Sequence, residues 1–203
     1  MDGKWEDGTR PKDIFSEYVS RNPSAYVNAI ISGLGSTSRR VQSGCAEIAS
    51  LLSETHPDLL YDNIDLFLSN LGAREPVLRW EAVCTLGNLA RADRMGKVRD
   101  TIEPIAAFLA DKSIVLQNHA VKALSKIAHR FPDSAPTILD RLLASKDWFP
   151  GNRIGFVIEV MSVFKGDEKL AVRAKDFVQS CVNSDIHAVS SKARKVLREL
   201  ESA

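Results

Sequence analysis

Ala82, Val83, Leu86, Leu89 and Ala90 recur 38 positions later as Ala120, Val121, Leu124, Ile127 and Ala128, and 38 positions earlier as Gly44, Cys45, Ile48, Leu51 and Leu52. No other feature constrains the fold as much. A period of roughly 20 to 50 residues marks a repeat architecture, in which each unit buries its apolar face only against its neighbours. Ile64, Phe67 and Leu71 return at the same step of 38 as Ile102, Ile105 and Leu109, so the period includes a second segment of each unit. After the third unit the frame slips. Leu124 aligns with Met161 at a step of 37, and the last unit aligns only through Ala193, Val196, Leu197 and Leu200.

Within the better-preserved segment of each unit the apolar residues fall at i, i+4, i+7 and i+8, the spacing of one helical face, and no stretch alternates like a strand. The predicted fold is therefore all-α, a right-handed α-α superhelix of about five helix pairs. The pairs are 24–34 with 38–53, 59–71 with 75–91, 98–110 with 113–130, 134–144 with 152–164, and 168–182 with 185–201. Residues 1–23 are expected to form a loose tail and a short capping helix, whose Ile14, Phe15, Tyr18 and Val19 share one face, and residues 24–203 a single repeat domain. The final helix, KARKVLRELE, is strongly charged, as a terminal repeat with a solvated outer face requires.

Composition bounds the function. With 44% hydrophobic and 26% charged residues the chain suits a soluble globular protein. Lys plus Arg total 27 against 26 Asp plus Glu, so the net charge of +1 gives no global reason to expect nucleic acid or an anionic membrane. Residues 1–100 carry 12 basic and 14 acidic groups, a balance of −2, and the remainder 15 and 12, a balance of +3. Cys45, Cys84 and Cys181 are odd in number, far apart and each within a helical pattern, which points to reduced thiols rather than a disulfide framework or a metal site. The N-terminus lacks an apolar signal region and no run is long enough to span a membrane, so a cytoplasmic protein is expected.

The motif Leu78, Arg79, Ala82, Leu86, Gly87, Leu89 resembles the second helix of the HEAT repeat family, and the resemblance covers about residues 24–201. It departs from the family in one respect. The family's Asp in the turn, six residues before its Arg, is met completely only by Asp147 with Arg153; the third repeat has Asp111 but Gln117, and the second has Arg79 but Ala73. The resemblance implies a non-enzymatic binding or scaffolding surface for a protein partner, on the concave face lined by second helices, with open ends through which copies could associate. Fold alone does not fix function.

On that register the candidate partner-binding residues are Trp80, Glu81 and Asn88 of one second helix, His119, Lys122 and Lys126 of the next, and Trp148, Phe149 and Arg153 at a longer turn. Cys84 belongs to the same ridge, and Ser43, Ala46 and Ser50 form its counterpart on the preceding helix. Trp80 reads chiefly as a filler between repeats, with Gly87 allowing a close approach, and otherwise as an anchor for a partner. Trp148 and Phe149 either fold back over helix ends or offer an anchor. No metal or cofactor is expected. Some HEAT-like hydroxylases bind iron through His-Glu dipeptides, and no His here is followed by Glu.

The alternative function, implied by similarity in length and helical plan, is a HEAT-like-repeat DNA glycosylase acting on alkylated bases. It would use Trp80 and Trp148 as aromatics, Asp147 as carboxylate, and Arg39, Arg40, Lys122, Lys126, Arg130 and Arg153 on phosphates. The neutral charge balance and Glu81 inside the cleft both oppose it. A nucleic-acid partner is accordingly not expected.

Overall fold

A computed structural model describes residues 8–202, so residues 1–7, the greater part of the expected tail, lie outside the described residues. Among the described residues there are helices and turns and no strand, which makes the chain all-α. It divides between Thr101 and Ile102 into two compact units.

In the first unit, α1 (Pro11–Glu17) is followed by the first helix pair, α2 (Pro23–Leu34) and α3 (Arg39–Thr55). The second repeat comprises α4 (Asp58–Tyr61), α5 (Ile64–Asn70) and α6 (Pro76–Leu89). Proline opens α1, α2 and α6 in their first turns, where its missing N–H would have had no helical partner and its φ is already helical. The single helix expected over 59–71 is interrupted at Asp62 and Asn63, residues whose short polar side chains favour non-helical backbone. Helix α3 packs against α6, α2 and α1. The periodic residues Ile48, Leu52, Val83, Leu86 and Leu89 are fully buried in this layer, whereas Leu51 is half-buried.

Two local features hold this unit together. At Gly33 a side chain would have no room, since a Cβ there would stand 2.2 Å from Cys45 Sγ and 3.2 Å from Cys45 Cβ. Burial pushes the Cys45 thiol pKa up to about 11, so the group stays a neutral apolar filler. The second feature is a buried acid in the turn after α6. The Asp93 carboxylate accepts hydrogen bonds from the Tyr61 hydroxyl, from Val98 N at 2.9 Å and from Arg99 N at 3.3 Å, while Met95 N donates to Tyr61 Oη at 3.0 Å. Gly96 supplies the positive φ of 76° that the turn needs.

In the second unit, α7 (Ile102–Ala107) runs into a 3₁₀ turn and pairs with α8 (Ile114–Arg130); α9 (Ala135–Ala144) packs on α8 and is followed by α10 (Ile154–Val160), and α11 (Glu168–Ser180) pairs with α12 (His187–Glu201). Ser113 Oγ caps α8 by accepting from Leu116 N at 3.3 Å, and Asp167 Oδ1 caps α11 by accepting from Leu170 N at 3.0 Å. Second helices α8, α10 and α12 pack in succession, as do first helices α7, α9 and α11. Ion pairs Glu103–Arg141 and Asp140–Arg173 link consecutive first helices, and Glu159–Lys192 links α10 to α12. Exposed pairs of this kind contribute about 0–1 kcal/mol each. The register is therefore set by the buried periodic residues Val121, Leu124, Ile127, Ile158 and Met161.

Candidate functional site: the second-helix faces

The first unit carries a groove of about 540 Å³ between α3 and α6, closed on one side by Gly8 to Pro11. Arg40 and Glu47 of α3 line it, with Ser43 between them, and Trp80 and Glu81 of α6 face them. Trp80 is half-buried, and its indole N–H donates to Glu81 Oε1 at 3.2 Å. Trp80 is thus neither wholly a filler nor wholly exposed: it packs by one part and lines the groove by another.

Burial raises the Glu81 pKa above the usual carboxylate value; hydrogen bonds from Ser50 and Trp80 pull it down, and the like charges of Glu47 and Glu54 push it up again. The folded protein therefore binds this proton more readily than the unfolded chain does. Ionised Glu81 opposes folding above its folded pKa, and the opposition fades on acidification. Glu81→Gln, which keeps an acceptor for Trp80, is expected to raise the melting temperature at pH 7. The difference from the parent chain should narrow as the pH falls into the carboxylate range, as followed by circular dichroism.

Asn88 does not stand on this face. It is buried, and its amide donates to Ser53 Oγ at 2.8 Å and to Ser50 O at 3.4 Å, tying α6 to α3. Ala46 and Ser50, expected on the same ridge, are buried too, and Cys84 is half-buried. The second helices approach more closely than a solvated stripe would allow, so the ridge narrows to Ser43, Glu47, Trp80 and Glu81. Glu47 escaped the sequence reading, although its place one turn after Ser43 put it on that face.

In the second unit α8 presents Lys122 and Lys126, both exposed, and half-buried His119. Burial, then Lys122 and Lys126, lowers the His119 pKa, which keeps the imidazole neutral near physiological pH. The Lys192 ammonium holds the Glu159 carboxylate below its ordinary pKa, with Lys122 and Lys195 adding to the effect. This face is therefore predominantly basic.

The long turn separates its two aromatics. Trp148 is 45% exposed, whereas Phe149 is 2% exposed and meets Phe156 edge to face with centroids 6.4 Å apart. Phe149 is a core residue and not a docking anchor. Arg153 also turns inward: it is half-buried and donates to Gln117 Oε1 at 3.4 Å. Gln117 in turn donates to Leu109 O at 3.0 Å and to Trp148 O at 3.4 Å. Gln117 thus ties the turn before α8 to the long turn after α9, and Arg153 joins that network rather than the exposed surface.

Among the described residues no group of three or more His, Cys, Asp or Glu side chains is placed to hold a metal ion, and no helix is long and apolar enough to cross a membrane. Two of the groups that a glycosylase would set on phosphates are engaged within their own units, and so is one of its aromatics. Arg39 pairs with Glu75 at 3.0 Å, Arg153 is drawn to Gln117, and Trp80 donates to the Glu81 carboxylate at 3.2 Å.

No family model and no curated protein matches the chain. Solved structures do. A designed armadillo repeat protein superposes with a TM-score of 0.66 at 14% identity, covering 87% of this chain and 82% of its own. A second, in complex with the peptide (KR)4, gives a TM-score of 0.68 at 13% identity over 97% of this chain and 89% of its own. A set of computationally designed armadillo repeat proteins for modular peptide recognition gives 0.62 at 14% identity, with 86% and 82% covered. At identities this low the likeness establishes the fold: the chain is an all-α repeat solenoid.

Proposed function

We propose that this chain is a non-enzymatic scaffold that binds a peptide or protein partner on its second-helix faces and through Trp148. The observation that carries the reading is the groove of about 540 Å³ formed by consecutive second helices and lined by Trp80, Glu81, Glu47 and Arg40. A surface of mixed charge around a half-buried tryptophan suits recognition of a polypeptide, where an aromatic anchor and a polar rim divide affinity from specificity. The second unit, taken by itself, exposes Lys122, Lys126 and Trp148. Two of the structural neighbours support the reading by what they bind: one holds the peptide (KR)4 and another was designed for modular peptide recognition.

Trp148→Ala and Lys126→Glu are expected to leave the melting temperature within about a degree or two of the parent, because surface changes of this kind alter stability by about 0.5 kcal/mol or less. Each should weaken capture of the native partner from the source cell several-fold. Unchanged capture of every native partner by both variants overturns this assignment of the surface.

A further inference from the structure

We propose that the face formed by α8, α10 and α12 in the second unit receives an acidic segment of a partner polypeptide, its carboxylates held by Lys122 and Lys126 of α8 and by Lys192 and Lys195 of α12. The proposal rests on the scaffold reading above and gives one of its surfaces a ligand chemistry. Charge in this unit is sorted by helix. The second helices α8, α10 and α12 carry seven Lys and Arg against three Glu, and α8 carries no acid at all, whereas the first helices α7, α9 and α11 carry four groups of each sign. Two of the first-helix acids already meet first-helix arginines, as Glu103–Arg141 and Asp140–Arg173. The surplus of cations therefore belongs to the second helices.

Helical spacing and packing bring these cations together. Lys122 and Lys126 are both exposed and stand one turn apart, about 6 Å at 1.5 Å per residue. The step of 37 that aligns Leu124 with Met161 also aligns Lys122 with Glu159, so the two stand level on helices that pack together. From the other side Lys192 reaches across α10. Its Cδ lies 3.5 Å from where a Gly155 Cβ would stand, and its ammonium meets Glu159 Oε2 at 2.7 Å. Lys195 follows one turn later and makes only a loose pair with Glu199 at 3.9 Å. Glu159 thus lies between the cations of two helices, and one carboxylate does not balance them. An acidic peptide segment supplies the complement. In an extended segment the side chains of one face recur about every 6.6–6.8 Å, close to the separation of Lys122 and Lys126. A nucleic-acid backbone suits the face less, because it presents its charge to a run of about six or more cations and Glu159 interrupts this one.

The test titrates the full chain with labelled peptides of one Gly-Ser framework, carrying three glutamates, three glutamines or three lysines at alternate positions, and with a labelled four-residue oligothymidine, whose three phosphates match the glutamate charge. Fluorescence anisotropy reads the binding. The glutamate peptide is expected to bind saturably and to weaken at least threefold from low to physiological salt, as exposed charges are screened; the glutamine and lysine peptides should not bind. Lys122→Glu should weaken the glutamate peptide about tenfold, while Lys146→Glu, the same charge change at the long turn, should leave its affinity within about twofold. Glu159→Gln removes the competing carboxylate and should tighten it about threefold. No binding of the glutamate peptide, equal effects of Lys122→Glu and Lys146→Glu, or tighter binding of the oligothymidine than of the glutamate peptide overturns the proposal. If the glutamate peptide does not bind and Lys126→Glu still loses the native partner, the acidic ligand falls and the scaffold reading stands.

Discussion

Asp93→Ala is expected to destabilise the first unit by on the order of 3 kcal/mol or more. The carboxylate is buried and accepts from the Tyr61 hydroxyl and from the backbone N–H groups of Val98 and Arg99. A buried donor stripped of its acceptor costs about 1–3 kcal/mol, and alanine leaves three without one. The loss falls on a turn whose Gly96 already adopts a conformation that few other residues tolerate, so the backbone has little freedom to find new partners. Asp93→Asn keeps one acceptor oxygen and should lose about half as much. Urea denaturation followed by circular dichroism measures both, and a midpoint unchanged in Asp93→Ala shows that water satisfies these donors.

Gly33→Ala is expected to cost about 1–3 kcal/mol, the range for forcing an extra methyl group into a packed core. The added Cβ would lie 2.2 Å from Cys45 Sγ, so either that side chain rotates or α2 moves off α3. The two responses are separable. In a Cys45→Ala background the sulfur is gone, and the cost of Gly33→Ala should shrink by about 1 kcal/mol or more, a coupling expected only of residues in direct contact. Equal costs in the two backgrounds place the strain in the backbone rather than at Cys45.

The repeat positions show how far periodicity carries. Val83, Leu86 and Leu89 and their counterparts Val121, Leu124 and Ile127 are buried as the 38-residue step requires, because a helix that must pack on two neighbours has no other way to satisfy one apolar face. The helix limits followed closely wherever proline or a capping Ser or Asp stood at the start. The split of the second repeat's first helix was not legible, since Asp62 and Asn63 lie within a stretch whose apolar spacing continues across them.

Site residues were less legible than core residues, for a reason visible at Asn88 and Phe149. A helical wheel assigns a residue to a side, but not the distance to the next helix. Asn88 lies opposite the apolar stripe by angle, yet α3 comes close enough to bury it and to supply Ser50 and Ser53 as partners. Phe149 and Trp148 are adjacent in one turn, and only the position of Phe156 decides which of them is covered. Glu47 joined the groove because Trp80 and Glu81 face it from 33 and 34 residues away, a juxtaposition with no local trace.

What the amino-acid order alone determined, then, is the class of fold and the identity of the packing residues, because both follow from spacing along one helix. Tertiary structure alone decided which polar residues meet water and which meet each other. Tyr61 finding Asp93, Gln117 meeting Arg153, and Glu47 facing Trp80 and Glu81 all depend on how closely neighbouring helices approach, a distance set by side-chain volumes such as the missing Cβ of Gly33 rather than by period.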